Sequence, residues 1–186
     1  MTLYKDRYRI ESTRLKGWDY TSEGWYFVTI CTHNKECLLG NMVSGQMRLS
    51  LIGEAAGRFW QDIPNHFKQT GLDEFIAMPN HVHGIICINA PFVETCHGMS
   101  LRNRLQSTPN QFAKPRSRSL STIINHYKSA VTRWCRENNH IYTVWQARFY
   151  DHIIRDESSL NKIRTYIVEN PLKWETDREQ VANLWI

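Results

Sequence analysis

Phe75-Ile-Ala-Met-Pro-Asn-His-Val-His-Gly-Ile-Ile-Cys-Ile88 is the stretch around which the chain is organised. Its two apolar, β-branched runs flank the turn Met78-Pro79-Asn80, and each run has the length of a buried strand. In the second run His81 and His83 are two residues apart, so a strand places both imidazoles side by side on one face. The stretch therefore predicts a β-hairpin that carries a histidine pair beside its turn.

The other face of the second strand is apolar, because Val82, Ile86 and Ile88 alternate with the histidine side of the strand. Two imidazoles on a rigid strand suit a divalent metal ion, although a third ligand must come from elsewhere in the chain. The other interpretation is a pair of hydrogen-bonded histidines near a strand end, which is the commoner case for an arbitrary His-x-His. The motif alone leaves both interpretations open.

Composition favours a single globular domain over 1–186. The chain has 186 residues, of which 41% are hydrophobic, enough to form a real core. It has no run of about 18 apolar residues and no apolar signal-peptide core, so we expect no membrane association. Five cysteines without a CxxC pair favour reduced thiols in a cytoplasmic protein.

Two basic segments favour contact with phosphate groups. The formal charge is +5 and the pI about 9.0, which fits a nucleic-acid partner but also many basic proteins that bind none. The predicted loop at 89–119 has a stretch without acidic residues, whose cations are Arg102, Arg104, Lys114, Arg116 and Arg118. The predicted irregular arm at 1–24 contributes Arg7, Arg9 and Arg14. A solvated loop and a packed surface tail are the alternatives.

The order of elements predicts the α+β class. The predicted strands are residues 25–32, 72–78, 81–88 and 151–154, with a minor hairpin that ends at residue 49. The first predicted helix has its N-cap at Ser50 and ends before Pro64, and the second starts at Ser119 or Ser121 and ends at Asn138-Asn139. The third runs from Glu157 to about Asn170 and stops at Pro171. This order indicates an antiparallel sheet with helices packed on one face, followed by a C-terminal tail at 172–186.

The last helix carries a tyrosine among polar neighbours. Its core stripe is formed by Leu160, Ile163 and Ile167. Tyr166 shares another face with Lys162 and Asn170, each about one turn away. An amide oxygen can ligate a hard cation, and a phenol beside that cation is placed to attack a phosphate. The alternative is a surface tyrosine whose ring covers the helix.

Four blocks of the chain resemble the single-tyrosine transposases of the IS200-like family, which carry a His-hydrophobe-His motif. The branch associated with repetitive extragenic palindromic (REP) elements is the most similar. The blocks, in the order of that family, are residues 24–32, 73–85, 144–146 with 151–156, and 166–172. The resemblance implies a ferredoxin-like, RRM-like fold.

The resemblance also implies a catalytic site. His81 and His83 would be metal ligands for Mg²⁺ or Mn²⁺, and Tyr166 the nucleophile that forms a 5′-phosphotyrosine link with single-stranded or hairpin DNA. Asn170 stands where insertion-sequence members have a glutamine as third ligand. Lys162 would assist the phenol, whose ordinary pKa near 10 makes it a poor nucleophile.

Two further residues and the assembly state follow less directly. His152 and Arg155 would reach DNA, or would instead hold the last strand to the last helix. The resemblance leaves a monomer or a homodimer open for this chain. Insertion-sequence members resemble dimers that exchange the tyrosine helix, whereas the palindrome-associated branch can work without exchange, which favours a site within one chain.

Two other functions are compatible with the same residues. One is a hairpin-DNA-binding repressor that has lost cleavage. The other is a His-dependent RNA phosphodiesterase, which would use His81 and His83 but would not need Tyr166.

Overall fold

The structure is a computed structural model, and it describes residues 3–4, 7–8, 15, 17–89, 119–140 and 143–177. In chain order its elements are β1 (Leu3–Tyr4), β2 (Arg7–Tyr8), β3 (Gly24–Cys31), a 3₁₀ turn (His33–Lys35), β4 (Gly40–Val43), β5 (Gln46–Leu49), α1 (Leu51–Gln61), α2 (Ile63–His66), β6 (Thr70–Met78), β7 (His81–Ile88), α3 (Leu120–Glu137), β8 (Tyr150–Ile154) and α4 (Glu157–Asp177). The predicted strands and the starts of the predicted helices agree with these bounds within two residues.

A four-stranded antiparallel sheet forms the centre of the molecule. Its order is β6-β7-β3-β8, and β4 pairs with β5 in a separate hairpin. In the two central strands Thr29 lies opposite His83, and on the other side of β3 it lies opposite Tyr150. The predicted α+β class with an antiparallel sheet is confirmed.

The sequence predicted helices on one face of the sheet, but the structure has helices on both faces. Tyr26 and Val28 of β3 point into a core shared with α1 and α3. Trp25, Phe27 and Ile85 point the other way and pack against α4. Because the central strands are apolar on both faces, both faces have to be covered.

The packing of α1 depends on Gly84. Ser50 caps this helix, as predicted, because its Oγ accepts a hydrogen bond of 3.1 Å from the Gly53 N–H. Trp60 near the helix end is fully buried over Gly84, where a Cβ atom would lie 2.2 Å from the indole Cζ2. Only glycine leaves room for the indole at this point of β7, so α1 lies close against the sheet.

The tyrosine helix is longer than predicted. It continues through Pro171 to Asp177, so residues 172–177 belong to α4 and not to the C-terminal tail. A proline inside a helix removes one backbone hydrogen bond. The next turn compensates by burying Trp174, whose ring centroid lies 5.9 Å from that of His81. Residues 178–186, the rest of the expected tail, lie outside the described residues.

Candidate active site

The histidine pair lies at the start of β7, and the alternation expected from the sequence holds. His81 is 1% exposed and His83 is 2% exposed, and their ring centroids are 4.4 Å apart. Val82 between them points into the opposite core. The strand therefore holds two adjacent imidazoles on the face that α4 covers.

Both imidazoles are held through Nδ1. His81 Nδ1 lies 2.7 Å from Asn80 Oδ1, and His83 Nδ1 lies 2.8 Å from Thr29 Oγ1. The Asn80 carbonyl oxygen only accepts, so the His81 Nδ1–H donates and leaves a lone pair on Nε2. Such contacts fix the tautomer and orientation that a metal-binding histidine needs. The sequence did not single out Thr29, whose role depends on strand register.

Burial keeps the two imidazoles neutral. It lowers the pKa of His81 to about 3, and Lys35 adds a smaller effect in the same direction. It also holds the pKa of His83 well below its ordinary value, with His81 contributing further. The neutral imidazole is the form that ligates a metal ion.

One nitrogen of the pair has no partner among the residues that the structure describes. His81 Nε2 is buried and makes no hydrogen bond within the described part of the chain. A buried polar atom without a partner costs free energy, so this nitrogen is available to a ligand. His83 Nε2 is 3.3 Å from the Tyr166 hydroxyl, its contact on the α4 side.

The helix α4 packs over this pair. The Tyr166 ring lies 5.3 Å from that of His83, centroid to centroid, and Trp174 packs near His81. Asn170 lies between them on the same helical face and is 5% exposed. The structure therefore brings His81, His83 and Tyr166 together within one chain and places Asn170 on the helical face of Tyr166.

The donors at this site suit a divalent cation. Two neutral imidazole nitrogens and an amide oxygen form a mixed set that Mn²⁺ accepts, and Mg²⁺ accepts with more difficulty. Over the described ranges no group of three His, Cys, Asp or Glu side chains could hold a metal ion. A cation here would consequently depend on the Asn170 amide, solvent or a substrate phosphate to complete its coordination.

The edge strand β8 extends the same face. His152 lies opposite Phe27, and Tyr150 lies opposite Thr29, so both residues share the face of the histidine pair. Tyr150 is 39% exposed, while half-buried His152 has its pKa lowered by burial and by Arg155. Tyr150 was missed at the sequence level, although its alternation with His152 could have revealed it.

The remaining sequence candidates are less informative. Lys162 and Arg155 are exposed. Arg7 belongs to β2, of which only the backbone is described. The other basic candidates lie outside the described residues: Arg9, Arg14, Arg102, Arg104, Lys114, Arg116 and Arg118. Their contacts with DNA stay predictions.

In the described ranges no helix is both long enough and apolar enough to cross a membrane.

Comparisons with known proteins identify a relative by sequence and a solved structure with a similar fold. No family model matches the chain. An uncharacterized protein of Haemophilus influenzae is 44% identical over 167 residues, which cover 90% of this chain and 91% of that protein. Among solved structures, a REP-associated tyrosine transposase bound to a REP hairpin superposes with a TM-score of 0.53 at 18% identity, covering 93% of this chain and 74% of that one. The chain thus has a transposase-like fold.

Proposed function

We propose that this chain, which belongs to the same family as the Haemophilus influenzae protein, is a metal-dependent single-stranded DNA endonuclease and strand transferase of the single-tyrosine type. The transposase-like fold supports this class, since the REP-associated neighbour binds a REP hairpin. The residue chemistry of the α4 face supports the tyrosine mechanism. Magnesium or manganese would be the cofactor, and hairpin-flanked single-stranded DNA the substrate.

The observation that carries the proposal is the 3.3 Å approach of the Tyr166 hydroxyl to His83 Nε2. The neighbouring His81 Nε2 has no partner in the described part of the chain. A phenol that only covered the helix surface would not have to lie over a buried histidine pair. An RNA phosphodiesterase based on His81 and His83 would not need this phenol. The contact therefore favours the tyrosine mechanism over that alternative.

Each residue has a distinct role in the proposed site. His81 and His83 would hold the cation through their Nε2 atoms and Asn170 through its amide oxygen. Asn80 and Thr29 orient the two imidazoles through Nδ1. When bound, the cation supplies Lewis-acid polarisation of the scissile phosphate.

Tyr166 provides the nucleophile. Its phenol oxygen forms a bond to phosphorus, the bond from phosphorus to the 3′-oxygen breaks, and the products are a 5′-phosphotyrosine link and a free 3′-hydroxyl. The phenol proton leaves to solvent and the departing 3′-oxygen gains one, so atoms and charges balance. A 3′-hydroxyl can reverse the step and rejoin the strand without an external energy source. Exposed Lys162, one turn earlier, would stabilise the phenolate.

DNA would approach along the β8 side of the face. Tyr150 offers an exposed ring on which an unpaired base can stack, His152 lies two residues further along the same face, and exposed Arg155 follows the end of β8. The basic residues of the predicted N-terminal arm and of the predicted loop at 89–119 would contact phosphates. The approach of the Tyr166 hydroxyl to His83 of its own chain favours a site within one chain, which a monomer would complete.

The proposal is tested by covalent capture. Wild-type protein is incubated with labelled hairpin DNA carrying single-stranded flanks and Mn²⁺, and the products are separated on a denaturing gel. We expect a protein–DNA adduct that chelator abolishes and that Tyr166→Phe cannot form, since the phenyl ring retains the packing but lacks the oxygen. Tyr20→Phe is the matched control, because it removes a phenol hydroxyl from the opposite core.

Other outcomes would identify the rival functions. If hairpins with several different flanking sequences bind tightly and none of them forms an adduct, the result would favour a repressor. Cleavage that survives Tyr166→Phe would move the nucleophile to water and contradict the tyrosine mechanism.

A further inference from the structure

A bidentate ion pair joins α4 to the edge of the sheet. Arg164 Nε lies 2.9 Å from Asp73 Oδ1, and Nη2 of the same guanidinium lies 2.5 Å from Oδ2. The Asp73 side chain is 4% exposed and that of Arg164 is 32% exposed. The guanidinium also lies 5.9 Å from the centroid of the Trp25 ring. A bidentate pair between a guanidinium and a buried carboxylate is directional, and solvent screens it little.

The sheet is irregular at the point where it presents Asp73. Leu72 pairs with Ile86 and Phe75 pairs with Gly84, so three steps along β6 match two steps along β7. This is a β-bulge, which inserts one extra residue into a strand and re-aims a side chain. Leu72 and Phe75 both pack toward the α1 side. The bulge thereby frees Asp73 to turn toward α4.

Arg164 and Tyr166 lie on opposite flanks of the helix stripe centred on Ile163 and Ile167. With about 100° per residue, each is about 80° from the middle of that stripe. A rotation of α4 about its axis therefore moves Tyr166 along the sheet as it strains the Arg164 contact. Since the phenol oxygen lies roughly 9 Å from the axis, a rotation of about 10° displaces it by about 1.5 Å.

The apolar stripe cannot set this rotation with the same accuracy. Leu160, Ile163 and Ile167 are buried against the sheet, but apolar burial has no preferred direction. Among the described residues, the polar contact on this flank that has a preferred direction is the bidentate ion pair of Arg164 with Asp73. We propose that Arg164 and Asp73 are positioning residues, which hold α4 at the rotation that places the Tyr166 hydroxyl against His83. This inference rests on the proposed function for its catalytic meaning.

The first test separates positioning from binding. Arg164→Lys keeps the charge but loses the fork. We expect the single-turnover rate of adduct formation at saturating DNA to fall by about 10- to 100-fold, as for a displacement of roughly 1 Å, while the Kd for hairpin DNA changes by less than about 3-fold. Lys173→Gln is the matched control, because it breaks an exposed ion pair with Glu169 on the same helix. An unchanged rate in Arg164→Lys would overturn the inference.

The second test does not depend on activity. In metal-free protein with ¹⁵N-labelled histidine, Tyr166→Phe identifies the His83 Nε2 signal that lacks the phenol contact. We expect the His83 signal of Arg164→Lys to move toward that position, and the signal of Lys173→Gln to stay with wild type. If the wild type forms no adduct but this shift occurs, the positioning role stands and the proposed function fails. A lower melting temperature with an unmoved His83 signal would show a merely structural ion pair.

Discussion

The two faces of the central sheet are built by the same strands and both bury apolar side chains, but the α4 face also buries a pair of histidines. Toward α1 and α3, Trp60 packs on Phe75 with ring centroids 4.9 Å apart, and the surrounding cluster is apolar. Toward α4 the sheet buries two histidines and a threonine. Apolar burial stabilises the fold, whereas buried polar groups cost free energy unless each finds a partner. The first face therefore supplies stability, and the second gives up part of it to bury the histidine pair.

The largest effect should come from the stabilising face. In Gly84→Ala the new Cβ would lie 2.2 Å from Trp60 Cζ2, so the indole or α1 must shift. Because Trp60 is fully buried, we expect the free energy of unfolding to fall by about 3 kcal/mol or more, as measured by urea denaturation.

Gly57→Ala is the control for that experiment. Its Cβ would meet only Phe75 Cε1 at 3.9 Å, an ordinary contact, in the middle of α1. Alanine favours a helix by up to about 1 kcal/mol over glycine, so this variant should be neutral or stabilising. Equal losses in both variants would contradict the view that close packing at β7 is the source of stability.

The sequence predicted features that depend on local patterns. Strand alternation placed His81 and His83 on one face, and Ser50 capped its helix as its neighbours indicated. The continuation of α4 past Pro171 was missed, because it depends on Trp174 finding His81 across the molecule.

The contacts that support the site were also missed, for the same reason. Thr29 and His83 are 54 residues apart, and Arg164 and Asp73 are 91 residues apart. Strand register and a bulge decide these contacts, and neither leaves a local pattern in a single sequence.

The second-largest expected effect is a loss of stability at low pH, which should arise from the α4 face alone. Burial holds the pKa of His81 at about 3 and that of His83 well below its ordinary value, whereas an unfolded imidazole titrates near ~6.5. As the pH falls below about 6.5, the unfolded state binds protons that the native state does not, so stability decreases toward the native pKa values. In metal-free protein the two histidines together should lower the free energy of unfolding by roughly 2 kcal/mol as the pH falls from about 7 to 5.5.

The double variant His81→Gln, His83→Gln isolates this contribution. Between about pH 7 and pH 5.5, we expect the free energy of unfolding of this variant to fall by about 2 kcal/mol less than that of the wild type. The control His33→Gln changes an exposed histidine and should follow the wild type. Parallel curves for wild type and the double variant would show that the buried histidines do not govern acid sensitivity, and the contrast between the faces would weaken.

The smallest effect tests whether the buried polar groups of the α4 face act on the site or only fill space. Thr29→Val keeps the shape of the side chain but removes the hydroxyl 2.8 Å from His83 Nδ1. Stability should fall by only about 1 kcal/mol, while the affinity for Mn²⁺, measured by calorimetry, should fall by about 10-fold or more because the imidazole loses its orientation. Thr165→Val removes an exposed hydroxyl bonded to the Asn161 carbonyl of α4 and should leave that affinity unchanged. Equal Mn²⁺ affinities in the two variants would mean that Thr29 serves packing alone, so that the α4 face would differ from the apolar face in composition but not in purpose.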